Sequence, residues 1–127
     1  MRYIIWFLLA LAVWLVLSIP GEVISYTAPV VEAREETTKE FAQRLTGSEW
    51  ESFNQIVIKE SRWDCQAQNP HSTAYGCMQF LNSTWKIVGC VKTAVEREQI
   101  VCGIKYIEKV YGTPTKALEH HRRFNWY

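Results

Sequence analysis

Four cysteines, Cys65, Cys77, Cys90 and Cys102, stand in the C-terminal part of a 127-residue chain, and they restrict its folds more than any other feature. A domain this small encloses little apolar surface, and covalent staples make up the shortfall where the compartment is oxidising. Four cysteines allow three pairings. The sequential one, Cys65 with Cys77 and Cys90 with Cys102, is favoured because each bridge closes a short loop that folding can find early. Zinc ligands come in close pairs such as C-x-x-C, and these cysteines are spread too evenly, so no metal site is expected.

The other end of the chain supplies the oxidising compartment. Residues 3–19 are apolar apart from Ser18, follow Arg2 and stop at Pro20-Gly21. Trp6, Phe7 and Trp14 point to all sides of such a segment and leave it no polar face, which argues against a buried core helix. Its length lies between a secretory core and a minimal spanning helix, and no clean cleavage site follows. Residues 1–20 therefore read as a signal peptide or a single-pass membrane anchor. With Arg2 held inside, everything after Pro20 is exported, to an extracellular, cell-surface or periplasmic location.

The formal net charge is only +1, with Lys and Arg interleaved among Asp and Glu, so no basic face for nucleic acid is expected. Residues 21–47 turn polar and acidic, with EAREETTKE carrying no apolar stripe, and read as a linker that is helical in part over residues 32–45. The compact domain is expected over residues 48–127. Ser48 with Glu51 suggests a capping box opening a helix from Glu49 to about Glu60, with Trp50, Phe53, Ile56 and Val57 on one stripe. Loop formers follow, then AYGCMQF, then a short helix capped by Asn82 and carrying Trp85. Thr93 and Glu96 suggest a second capping box, for a helix presenting Ile100, Ile104, Ile107 and Tyr111 before Gly112 stops it. Thr113-Pro114 starts a last helix through Ala117 and Leu118, ahead of the aromatic cluster FNWY.

Glu60 is the sharpest candidate for chemistry. It continues the Ile56 and Val57 stripe, so an acid is aimed where a core residue would be. Desolvation and the negative end of the helix macrodipole both disfavour its anion. A carboxyl kept protonated near neutral pH is what glycosidic cleavage needs in order to protonate the leaving oxygen. The bland reading is a surface glutamate at a fraying helix end.

The order of short motifs then resembles a known family. IKESRWD (58–64), AQNP (67–70), AYGCMQF (74–80), Thr84-Trp85, GIKYI (103–107) and Val110-Tyr111-Gly112 resemble the soluble-lytic-transglycosylase type of lysozyme-like domain. The closing EHHRRFNWY is similar to the end of aggregation-promoting-factor-like members. The resemblance covers residues 48–127. It implies a mainly α (α+β lysozyme-like) fold, a small helical domain with a short β or turn segment lining a cleft. It also implies that the chain cleaves the MurNAc-GlcNAc β-1,4 bond of peptidoglycan glycan strands as a lytic transglycosylase with one catalytic glutamate. Glu60 matches that acid and base, Gln79 with the Gly76 and Met78 backbone matches the cleft-lining motif, and Tyr106 matches a tyrosine of the cleft region. Cys77 replaces a usual leucine, as a staple to Cys65 would explain. Where relatives end on A-Y-N this chain has Glu119-His120-His121, so that tyrosine's place is empty or is taken by His121.

Hydrolysing glycosidases usually need a second carboxylate, and Asp64 is the only acid close in sequence to Glu60 apart from it. The family pattern makes Asp64 a loop residue, with the substrate's acetamido group assisting departure. If Asp64 positioned a water instead, the enzyme would be a muramidase. A silent wall-binding module is the competing reading from another class, and retention of both Glu60 and Gln79 speaks against it. Tyr75, beside Gly76, is the expected sugar-stacking residue. No cofactor is implied, the partner is peptidoglycan, with the membrane if the first segment is retained, and a monomer is expected.

Overall fold

The computed structural model describes residues 34–127. The apolar run at residues 3–19, and with it the signal or anchor, lies outside the described residues. Among the described residues no helix is long and apolar enough to cross a membrane.

Five α-helices account for most of this unit: α1 Thr38–Thr46, α2 Trp50–Ser61, α3 Asn82–Ile87, α4 Glu96–Val110 and α5 Pro114–Phe124. A mainly helical domain with a short extended segment is what the sequence led us to expect. The only β pairing among the described residues is two isolated antiparallel bridges, Gln68 to Tyr75 and Tyr75 to Phe80.

α1 lies inside the stretch that reads as a linker. Thr37 opens it with a reciprocal capping box to Glu40. Ala42 on its inner face is fully buried, and α1 packs on α4 and α2. An alanine is easily overlooked as an apolar signal, yet it lets two helices approach closely.

Neither of the capping boxes expected from the sequence forms. After Gly47, at φ 54°, a 3-10 turn over Gly47–Glu49 runs straight into α2, so Ser48 sits within that turn and caps nothing. The neighbouring Glu49 carboxylate instead accepts from the Thr115 amide at 2.9 Å and its hydroxyl at 2.8 Å, joining the start of α2 to α5. At α4 the N-cap is Val95, with no side-chain cap. Thr93 Oγ1 accepts from the Val95 amide, and Glu96 accepts the Thr38 hydroxyl of α1. The α3 N-cap is Leu81, one residue before the expected Asn82. Thr113 caps α5 as expected, accepting from the Lys116 amide with Pro114 in the first turn.

The core sits between α2, α4 and α5. Phe53, Ile56 and Val57 of α2 meet Ile100 and Ile107 of α4 and Ala117 and Leu118 of α5, while Met78, Phe80 and Trp85 close one side. Burying a side chain of the Leu or Phe size contributes about 1.5–3 kcal/mol, so this cluster is what holds α2 in place. The cysteines pair sequentially, Cys65 with Cys77 and Cys90 with Cys102.

Candidate active site

The α2 stripe delivers Glu60 to the edge of the core. Ile56 and Val57 are fully buried, and Glu60 extends their line with 19% of its side chain exposed. α2 then ends because Arg62 (φ 55°) and Trp63 (φ 67°) both take the left-handed conformation. This costs non-glycine residues on the order of 1 kcal/mol each. The Arg62 amide donates to the Ile58 carbonyl and Trp63 Nε1 donates to Asn54 Oδ1 at 3.0 Å, which fixes the turn.

The chain returns through the 74–80 segment. Ser61 Oγ, next to the acid, donates to the Cys77 carbonyl at 2.9 Å and so ties the end of α2 to that segment. Gly76 has φ 84°, and a Cβ there would stand 2.2 Å from Gln99 Oε1, so only glycine fits. Gln99 is the hidden support of this wall. Only 1% exposed, it accepts from the Cys77 amide at 2.7 Å and donates to the carbonyls of Cys65 (2.9 Å) and Thr93 (3.0 Å). One carboxamide thereby satisfies the backbone on both sides of the Cys65–Cys77 bridge. Gln79, at φ 49°, donates from Nε2 to the carbonyls of Ala67 and Gly76, both at 3.0 Å.

Between the α2 end and this segment lies a cleft of about 420 Å³ lined by Glu60, Met78, Gln79, Tyr106, Trp126 and Tyr127 among others. Among the described residues, Glu60 supplies the only carboxylate side chain in the lining. Burial raises its pKa above 4.5, outweighing the hydrogen bond and charge of His121 and the charge of Lys59, which act the other way. His121, 8% exposed, puts Nε2 2.9 Å from Glu60 Oε1. Its Nδ1 is buried and has no hydrogen-bond partner among the described residues. This favours the hydrogen on Nε2, donated to Glu60, because an orphaned buried N–H is costlier than an orphaned lone pair.

Of the residues singled out in the sequence, Glu60, Met78, Gln79 and Tyr106 share the cleft, and His121 reaches it through Glu60. Gly76 contributes its carbonyl to Gln79 from behind the wall. Tyr75 is not in the lining. Its hydroxyl donates to Gln66 Oε1 at 2.7 Å, and Lys92 Nζ lies 5.0 Å from its ring centre. Asp64 is outside as well, where its Oδ1 accepts from the Gln66 amide at 3.0 Å. Among the described residues no group of three or more His, Cys, Asp or Glu is placed to hold a metal ion.

Tyr127, part of the closing aromatic cluster, had no particular role assigned from the sequence. Asn125, left-handed at φ 60°, turns the chain back at the end of α5. The Tyr127 ring then stacks on His121, with centroids 6.1 Å apart, and its hydroxyl donates to the Met78 carbonyl at 2.9 Å. Burial, with the Glu60 charge second, pushes that phenol well above its usual range. Gln99 was missed, and the available signal was a carboxamide between two acidic positions and the apolar stripe of α4.

A small helical, disulfide-closed, lysozyme-like domain with one half-buried acidic side chain in its cleft is the class these features define. Residues 38–120 match the family described as "Transglycosylase SLT domain", and the chain belongs to that family. The match begins at Thr38, where α1 begins. No curated protein and no solved structure matches the chain. Membership implies action on the glycan strands of peptidoglycan.

Proposed function

We propose that this chain cuts the MurNAc-GlcNAc β-1,4 bond of peptidoglycan without water, with Glu60 as the catalytic acid and then base. The carrying observation is the half-buried Glu60, the one acidic side chain of the cleft lining among the described residues, where burial raises its pKa. His121 donates to Oε1, which leaves Oε2 to carry the proton toward the sugar. That proton passes to the glycosidic oxygen as the bond to the anomeric carbon breaks, and the substrate's acetamido oxygen closes onto that carbon. The Glu60 carboxylate next takes the proton of the muramyl 6-hydroxyl. The freed oxygen attacks the anomeric carbon, expels the acetamido oxygen and closes an anhydro ring. Gln79, the Met78 backbone and Tyr106 line the groove that holds the sugars.

A hydrolytic route usually takes a carboxylate across the cleft to activate water. Asp64, engaged in its own loop, is not in the lining, so the geometry favours the anhydro product. The domain works outside the cytoplasm, on the wall, and its disulfides fit that placement. Digesting purified peptidoglycan with wild type and Glu60→Gln, with mass spectrometry of the products, tests the reading. The expected result is muropeptides ending in a dehydrated sugar from wild type alone. Reducing ends would mean a muramidase. No release by wild type would leave a binding module.

A further inference from the structure

We propose that Trp126 is the sugar-stacking platform of the cleft, with the Asn125 carboxamide beside it as a hydrogen-bonding partner for a ring hydroxyl. The inference rests on reading the cleft as a glycan site, and it places recognition where neither the family match nor the sequence motifs put it.

A sugar ring has one face of C–H groups and a rim of hydroxyls. It is held by a flat apolar surface with polar groups at its edge. Trp126 offers that surface, because it lines the same cleft as Glu60 and yet is 59% exposed. An exposed indole beside a carboxyl-bearing groove is apolar surface that a ligand can cover with gain. The ring is also held in place before any ligand arrives. Asn125 sets the turn, with its amide donating to the His121 carbonyl at 2.7 Å. His120 Nδ1 donates to the Trp126 carbonyl at 2.9 Å, and the His120 ring meets the indole nearly perpendicularly with centroids 4.5 Å apart. On the other side Tyr127 is anchored to the Met78 carbonyl. Residues 125–127 thus form a strap pinned at both ends, with Tyr127 turned toward Glu60 and Trp126 left to the solvent. Little side-chain freedom is lost when a ligand stacks on it. Tyr75, by contrast, already has its hydroxyl bonded and a lysine over its ring.

The test uses the full oxidised chain carrying Glu60→Gln, so that binding is read without cleavage, and a soluble β-1,4 GlcNAc hexasaccharide as probe in calorimetry. Adding Trp126→Ala is expected to weaken binding about tenfold, equivalent to about 1.4 kcal/mol, while Trp126→Phe retains most of it. In the active background Trp126→Ala should raise KM on peptidoglycan and leave kcat nearly unchanged. Equal affinity with and without the indole overturns the proposal, as does failure of the Glu60→Gln chain to bind the sugar at all. It is also overturned if Trp126→Ala keeps its sugar affinity but stops sedimenting with phosphatidylglycerol vesicles, since the indole would then be a membrane contact. If the wild type releases no muropeptides while the Glu60→Gln chain binds sugar through Trp126, the cleavage reading fails and the stacking assignment stands.

Discussion

His121 Nε2 lies 2.9 Å from Glu60 Oε1, joining a residue of α5 to the end of α2 across 61 positions of sequence. Its hydrogen bond and charge lower the pKa that burial raises. Replacing it with Phe, which fills the space against Tyr127 but donates nothing, should move the alkaline limb of the kcat/KM profile to higher pH. An unmoved limb, or one displaced toward acid, would remove His121 from the tuning of the acid.

The same carboxyl makes stability depend on pH. Because its pKa is raised in the folded state, folding takes up a proton between the ordinary value of 4.5 and the higher folded one. Stability is fully present below 4.5 and is lost as pH rises through the folded value. Glu60→Gln has no anion to bury, so its thermal midpoint should match the wild type in acid, pull ahead of it across that window, and hold a constant lead above it. Parallel midpoint curves across pH would contradict the burial argument.

Gln99→Leu should cost about 3 kcal/mol in urea unfolding, because it leaves the Cys77 amide and the Cys65 and Thr93 carbonyls without their partner. Gln99→Glu restores the acceptor for Cys77 but sets a carboxylate against two carbonyls, and should recover little. A loss under about 1 kcal/mol for Gln99→Leu would mean that the wall is supported elsewhere.

Gly103→Ala tests the opposite side of the same wall. Its Cβ would stand 2.8 Å from the Met78 side chain, pushing the thioether off α4 toward the cleft. Overpacking of this kind costs about 1–3 kcal/mol, and peptidoglycan release should fall further than stability does. Unchanged release together with an unchanged unfolding midpoint would show that Met78 has room to move.

The Glu60 position was legible because it depends on local periodicity. It lies four residues beyond Ile56 and three beyond Val57, and helical geometry carries it to the same face whatever packs there. The Thr113-Pro114 start of α5 was legible for the same reason. Ser48 with Glu51 and Thr93 with Glu96 carried equally good local signals that the fold does not use, because Ser48 is drawn into the 3-10 turn and Glu96 serves Thr38, much as the neighbouring Glu49 serves Thr115. Such partners are distant in sequence and no motif encodes them. Tyr75 falls outside the lining for a related reason, since loop composition says nothing of which way a ring turns. Tyr127 reaches the cleft only through the turn at Asn125, a matter of one left-handed residue.

The hydroxyl of Ser61 reaching the Cys77 carbonyl, with the bridge from Cys65 alongside, means the two lips of the groove are joined to each other before any substrate arrives. Glycan strands in a wall are themselves stiff and cross-linked. When two unyielding bodies meet, conformational adjustment falls on the softest torsions available, here the pyranose pucker beside the scissile bond. On the proposed reading, a groove with its lips already joined would leave more of the fitting to the sugar than to the protein.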